Sequence, residues 1–303
     1  MEHNKLFHPK SAEEFLQAFE KETGKNINNY IYDVSKIKAE NIFLVGSIPQ
    51  GSATTVSDID LIVTGVRDSG EIIANDVLYQ ENSGGGIMIA EFFSKVNGYE
   101  IDVTLLNANS VERLIDGLST GNAHMSDYEI KILSILKRGW PLEGKLDISK
   151  LEADDLELFS AMRHFTLAQQ EFNDALNATN NAPFCVSMLR SVVYRLASTF
   201  MAMNGMCFVG QKWVKKAQFM LNKGELSLSA KKFLQRLIDM YTEDSCLSMN
   251  QLQTSISSVH CLINTFNKIV NDDYLSHSIA IQINNELSAL ESANKEAICK
   301  ILN

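Results

Sequence analysis

The sequence predicts an α+β protein, with a small mixed-sheet domain over residues 1–143 followed by an α-helical bundle over residues 144–303. Three observations predict it. The strong strand patterns all fall between residues 42 and 106. From Ser110 onward, apolar residues recur at helical spacing almost continuously. Around residues 139–151, Pro141, Gly144 and a run of polar residues interrupt the helices and mark a seam.

Each element has its own signal. Ser11 followed by Glu14 makes a capping box, and Phe15, Ala18 and Phe19 then recur at helical spacing, which predicts a first helix. A second is predicted over residues 27–39, with Tyr30, Ile31, Val34 and Ile37 on one face. Strands are predicted at residues 42–45, 59–63, 77–81, 87–96 and 99–106. Asn97-Gly98 separates the last two, and this dipeptide favours the two-residue type I′ turn because both central residues take positive φ. Such a turn sets the register. It pairs Val96 with Tyr99, Lys95 with Glu100, Phe93 with Asp102 and Glu91 with Thr104.

Beyond the sheet, Ser126-Asp127-Tyr128-Glu129 is a second capping box ahead of Ile130, Leu133 and Leu136, and Gly139-Trp140-Pro141 is expected to end that helix. Further helices are predicted at about residues 152–177, 184–204, 211–222, 228–242, 249–270 and 278–301.

Composition narrows the function. Hydrophobic residues make up 45% and charged residues 21%, so a core is available without disulfides or metals. The apolar stretches fall far short of the roughly 20 residues that cross a bilayer, and Met1-Glu2-His3-Asn4-Lys5 leads into nothing resembling a secretory signal. A cytoplasmic location without membrane partners is expected. Cys185, Cys207, Cys246, Cys261 and Cys299 show no metal spacing and read as buried thiols. A net charge of −10 argues against long DNA or RNA as a partner, because such binding depends on neutralising phosphates.

The chemistry concentrates in a short stretch. Gly46-Ser47 follows an apolar strand, and Asp58-Ile59-Asp60 then leads into Leu61-Ile62-Val63. Residues two apart on a strand point the same way, so Asp58 and Asp60 present both carboxylates to one face while Ile59 and Leu61 enter the core. Two adjacent carboxylates repel unless a cation lies between them. Asp102, between Ile101 and Val103, adds a third acid in an apolar strand. A tight turn of backbone N–H groups with a hydroxyl is what a bound phosphate needs.

Gly46-Ser47, Ser57-Asp58-Ile59-Asp60-Leu61 and Ile101-Asp102-Val103 together resemble the signature of the DNA polymerase β-type nucleotidyltransferase superfamily. A small catalytic domain followed by a helical bundle is similar to the aminoglycoside and lincosamide nucleotidyltransferases. The resemblance covers about residues 42–106. It implies two magnesium ions, held by Asp58 and Asp60 and completed by Asp102, with Gly46, Ser47 and Ser57 at the triphosphate of ATP or another nucleoside triphosphate. It also implies transfer of a nucleoside monophosphate to a hydroxyl of a small, antibiotic-like acceptor. Many such enzymes carry arginines where Ile48 and Gln50 stand here, and Lys212, after the Gly205 and Gly210 turns, is the candidate cation in their place. Glu91, Glu100 and Glu171 are the candidates for the general base.

Arg190 and Arg195 are read as needing an anionic partner, His164 and His124 as satisfied or surface residues, and Trp213 as core. The runner-up function is a protein-adenylylating enzyme or an antitoxin of the minimal nucleotidyltransferase type. A nucleotide sensor without chemistry is disfavoured because all three carboxylates are present.

Overall fold

Asn97 and Gly98 both adopt positive φ, 49° and 87°, and the hairpin they close has the predicted register: Val96 opposite Tyr99, Lys95 opposite Glu100, Phe93 opposite Asp102 and Glu91 opposite Thr104. The computed structural model describes residues 6–51, 53–54, 57–67, 76–80, 87–119, 125–151, 155–207, 213–243 and 247–273. The hairpin strands, β4 (Met88–Val96) and β5 (Tyr99–Leu106), belong to a sheet with β1 (Ile37–Val45), β2 (Ile59–Arg67), β3 (Asp76–Gln80) and β6 (Trp140–Glu143). Its strand order is β3-β4-β5-β2-β1-β6. Four neighbouring pairs are antiparallel, and β2 with β5 is parallel. The sheet is therefore mixed, and the protein is α+β.

The two faces of the sheet are covered differently. Ile59, Leu61 and Val63 of β2 and Ile101, Val103 and Leu105 of β5 join one core with Phe15 and Phe19 of α1 (Ala12–Thr23) and Tyr30 and Ile31 of α2 (Ile27–Ser35). Full burial of a large apolar side chain such as Phe15 contributes about 1.5–3 kcal/mol. Strand alternation sends Asp60, Ile62, Asp102 and Thr104 to the other face. There α3 (Ala108–Ser119) touches β2 and α4 (Asp127–Lys137) touches β1. The Ser126 capping box at the start of α4 is complete. At α1 the Ser11 side chain accepts from the Glu14 N–H, but the Glu14 carboxylate accepts from the Lys10 N–H and not from the cap residue.

Two local expectations are corrected. The second helix stops at Ser35, four residues early: Lys36 takes the left-handed conformation, φ 56°, and Ile37, Lys38 and Ala39 pair with Arg67, Val66 and Gly65. Trp140-Pro141 ends α4 as expected, but residues 140–143 then add a sixth strand to the β1 edge. The buried Asn41 secures the following segment. Its side-chain oxygen accepts the Lys145 and Leu146 N–H groups, each at 2.8 Å, while its amide donates to Thr64 Oγ1 at 2.8 Å.

The chain packs as two compact units, one ending at Ala153 and the next beginning at Asp154. The second contains α5 (Asp155–Asn177), α6 (Ala182–Met203), α7 (Trp213–Lys223), α8 (Leu228–Thr242) and α9 (Leu252–Asp273). Val192, Val193, Leu196, Ala197, Phe200 and Met201 are all buried, so α6 is apolar on nearly every side and runs through the middle of this bundle. Trp213 is core, edge-on to Tyr241 at 5.0 Å. The predicted helix at residues 278–301 lies outside the described residues. No helix among the described residues is long and apolar enough to cross a membrane.

At Gly98 an added Cβ would meet nothing within 4 Å, so Gly98→Ala incurs only the left-handed backbone cost. Urea unfolding should show a loss of about 1–2 kcal/mol with an unchanged m-value. An unshifted midpoint would contradict the type I′ geometry.

Candidate active site

Gly46 directly follows β1 and adopts φ 75°; a Cβ there would stand 1.9 Å from Asp60 Oδ2 and 2.7 Å from its Cγ. Glycine is thus required twice, once for the backbone angle and once for the carboxylate that occupies the space. Val45 pairs with Asp60 across β1 and β2, and Asp60 pairs with Asp102 across the parallel β2 and β5. Neighbouring strands lie about 4.8 Å apart, so the two acids stand side by side on one face. Asp58, exposed, immediately precedes β2.

The electrostatics follow from this crowding. Asp102 is half-buried, its Oδ1 fully so, and that oxygen has no hydrogen-bond partner. Burial pushes its carboxyl up from the ordinary 3.8 to about 7, with Asp60, Glu91 and Asp58 adding to the push and Lys131 opposing it. Lys95 beside Glu100 holds that carboxyl below the usual range, and Asp58 lies within hydrogen-bond reach of it. Glu100 and Lys95 form an exposed ion pair. Like charges so placed repel, and no three His, Cys, Asp or Glu side chains among the described residues are drawn into a closed metal-holding group.

Two described residues of the connecting loop are packed into the fold. Gly51 N–H donates to the Ile48 carbonyl at 3.0 Å. Ile48, only 2% exposed, and Ala53 enter the core shared with α1 and α2. Thr54 N–H donates to Ser57 Oγ at 2.8 Å and Ser57 N–H to the Thr54 carbonyl at 3.0 Å. The Ser57 hydroxyl therefore positions the chain just ahead of Asp58.

Of the residues singled out from sequence, the fold brings Gly46, Asp58, Asp60, Glu91 and Asp102 together, with Glu100 beside Asp58 and Ser47 and Ser57 on the adjoining loop. Glu171 belongs to the bundle, where its Oε1 accepts from Arg195 Nε at 3.4 Å. Arg195 also contacts His164 Nδ1 at 3.1 Å, so the anionic partner of Arg195 is a bundle carboxylate and His164 is a satisfied core histidine. Arg190 is exposed on α6. Lys212 and His124 lie outside the described residues. Sequence reasoning missed Lys131, the α4 cation that acts on Asp102. Its only signal is a lysine between Ile130 and Ile132, where the helix turns toward the sheet.

No family model matches the chain. No curated protein is similar to it either. Among solved structures it resembles a nucleotidyltransferase-like protein from Exiguobacterium sibiricum 255-15, at 11% identity and a TM-score of 0.43, over 92% of this chain and 91% of that one. A likeness of that depth carries no argument about activity.

Two outcomes follow from that geometry. The folded state holds the Asp102 proton more firmly than the unfolded chain does, so stability falls as pH rises between about 4 and about 7. In EDTA, Asp102→Asn should melt several degrees above the parent at pH above ~7, with the gap closing toward pH ~4. A gap that is absent, or that widens on acidification, would contradict the assigned environment. Gly46→Ala should cost more than Gly98→Ala by about 1–3 kcal/mol in the same urea assay, because it adds a clash with Asp60 to the backbone term.

Proposed function

We propose that the chain is a nucleotidyltransferase of the DNA polymerase β type that moves a nucleoside monophosphate, from ATP or another nucleoside triphosphate, onto a hydroxyl of a small molecule. The observation that carries this reading is the parallel pairing of Asp60 with Asp102 beside a glycine whose missing side chain is the space the Asp60 carboxylate fills. Three carboxylates with one orphaned buried oxygen are a donor set suited to magnesium, a hard cation that takes oxygen ligands. Asp58, Asp60 and Asp102 would hold it; when bound, it supplies charge neutralisation and polarisation at the α-phosphate.

The remaining roles belong to this chain's own groups. Gly46 and Ser47 present backbone N–H groups and a hydroxyl to the triphosphate. Ser57 holds the loop that aims Asp58. Lys131, from α4, offsets part of the negative field at Asp102. Lys212 remains the proposed cation for the phosphates. Glu91 is the carboxylate best placed to take the acceptor proton, since Glu100 is paired with Lys95 and Glu171 with Arg195.

The acceptor class follows from charge. With 37 acids against 27 cations and a cluster of carboxylates at the site, polyanions are repelled and amine-bearing, antibiotic-like molecules are attracted. A cytoplasmic setting, where triphosphates and magnesium abound, fits this reading.

Asp58→Asn and Asp60→Asn should abolish transfer while leaving the fold intact, as circular dichroism would report. The assay incubates the protein with magnesium, radiolabelled ATP and separate pools of small hydroxyl compounds, cellular proteins and RNA. Label is expected in the small-molecule pool alone. Label confined to protein would favour the protein-adenylylating alternative, and wild-type turnover by either variant would remove these aspartates from the site.

A further inference from the structure

In the bundle, α8 and α9 flank a cavity of about 670 Å³ that no role proposed above uses. Its walls carry Phe233, Leu262 and Ile269 together with three cations, Lys232, Arg236 and Lys268. Among the described residues, no Asp or Glu lines it. That is unusual for a protein of net charge −10, where cations have a surplus of acids with which to pair.

All three cations are exposed, and none forms an ion pair among the described residues. Lys232 and Arg236 are also four apart on one helix, an arrangement of like charges that destabilises a free helix slightly. Thr254 and Ser258 of α9 add hydroxyl groups to the same walls, whereas the Thr265 hydroxyl donates to the Cys261 carbonyl at 2.8 Å. The volume falls in the range of small-molecule sites, about 300–1,000 Å³. Convergent cations and hydroxyls over an apolar floor are complementary to a compact anion with an apolar body.

We propose that the α8–α9 cavity binds a small organic anion, one that bears a phosphate, sulfonate or carboxylate on an apolar body. The anionic group sits among Lys232, Arg236 and Lys268, and the apolar body lies along the aliphatic stems of these cations and the thin exposed edges of Phe233, Leu262 and Ile269. This does not depend on the transferase reading. The two units of the chain each carry a site of opposite sign, the first acidic and the second basic.

Cys261 supplies the reporter. The sequence predicts a buried thiol there, yet Cys261 is exposed and lines this cavity, because helical spacing places it on the α9 face with Ser258 and Thr265. Cys185 and Cys207 are buried, whereas Cys246 and Cys299 lie outside the described residues, so peptide mass spectrometry must resolve the labelled site.

The full chain is reacted with iodoacetate, and modification of Cys261 is followed while anilinonaphthalene sulfonate, inorganic pyrophosphate or a polyglutamate peptide is titrated in. The aromatic sulfonate should protect Cys261 saturably, and pyrophosphate only at higher concentration. Lys232→Gln/Arg236→Gln should raise the half-protecting sulfonate concentration by about tenfold or more. Both residues are exposed, so the fold should survive. Independently, added salt should weaken protection of the wild-type chain. The proposal is overturned if protection does not saturate, if it is unchanged in the variant or indifferent to salt, or if pyrophosphate matches the sulfonate. Stronger protection by polyglutamate would overturn it too, in favour of an acidic polypeptide.

Discussion

The parallel register of β2 and β5 is the constraint on which the rest of the first unit depends. It places Asp60 beside Asp102, and the strands cannot slip to separate them. Ile59, Leu61, Val63, Ile101, Val103 and Leu105 all face the core of α1 and α2, and a one-residue shift of either strand would turn its own three outward. Exposing three such side chains at about 1.5–3 kcal/mol each outweighs the repulsion of two partly solvated carboxylates. Hydrophobic burial on one face of the sheet thus holds an electrostatically unfavourable pair in place on the other. Preorganised charge of this kind is what a cation-dependent reaction requires of its protein.

Gly46 and the loop after it extend the same logic. The carboxylate of Asp60 occupies the space where any other residue at position 46 would have its Cβ, so the turn and the acid are fitted to each other. Ile48 then anchors the loop in the core from the side facing away from the acids. An arginine in its place would have to bury a cation among Ala53 and the α1–α2 aromatics, which costs several kcal/mol without a paired anion. Packing thus accounts for the missing cation at position 48, whereas Gln50 is exposed and its position is not so constrained. Charge balance at the acids falls to groups on other elements, of which Lys131 on α4 is one.

What the sequence revealed divides along the range of the interactions involved. The β4–β5 hairpin was legible residue by residue, since Asn97-Gly98 dictates its turn locally and the turn dictates the register. The acids at 60 and 102 were legible because a charged residue between buried apolar neighbours is an anomaly on a strand, and Asp58 by its two-residue spacing from Asp60. The start of β1 was not: Ile37 continues the helical spacing of α2, and only pairing with residues 65–67 and the left-handed Lys36 turn it into a strand. The short β6 was hidden by its proline, a residue confined to sheet edges, and by its dependence on pairing with Ile42, Phe43 and Leu44 about a hundred positions earlier. Lys131 and Cys261 escaped for a related reason. Helical periodicity says which residues share a face, but only the packed neighbour decides whether that face meets an acid, a groove or solvent.

The Arg195, Glu171 and His164 cluster in the bundle shows what pairing does to a cation in this protein. Arg195 and Glu171 are each only 17% exposed, and the guanidinium is shared between a carboxylate and an imidazole, which satisfies the charge inside the fold. A cation so engaged is poorly available to a ligand, because drawing it away would leave Glu171 in a low-dielectric setting without its partner. Lys232, Arg236 and Lys268 are in the opposite condition, solvated and without a described anion. For them, binding an anion exchanges water for charge-assisted contacts without breaking an existing pair. The availability of a charge, more than its presence, separates the structural cations of this bundle from those able to recognise a ligand.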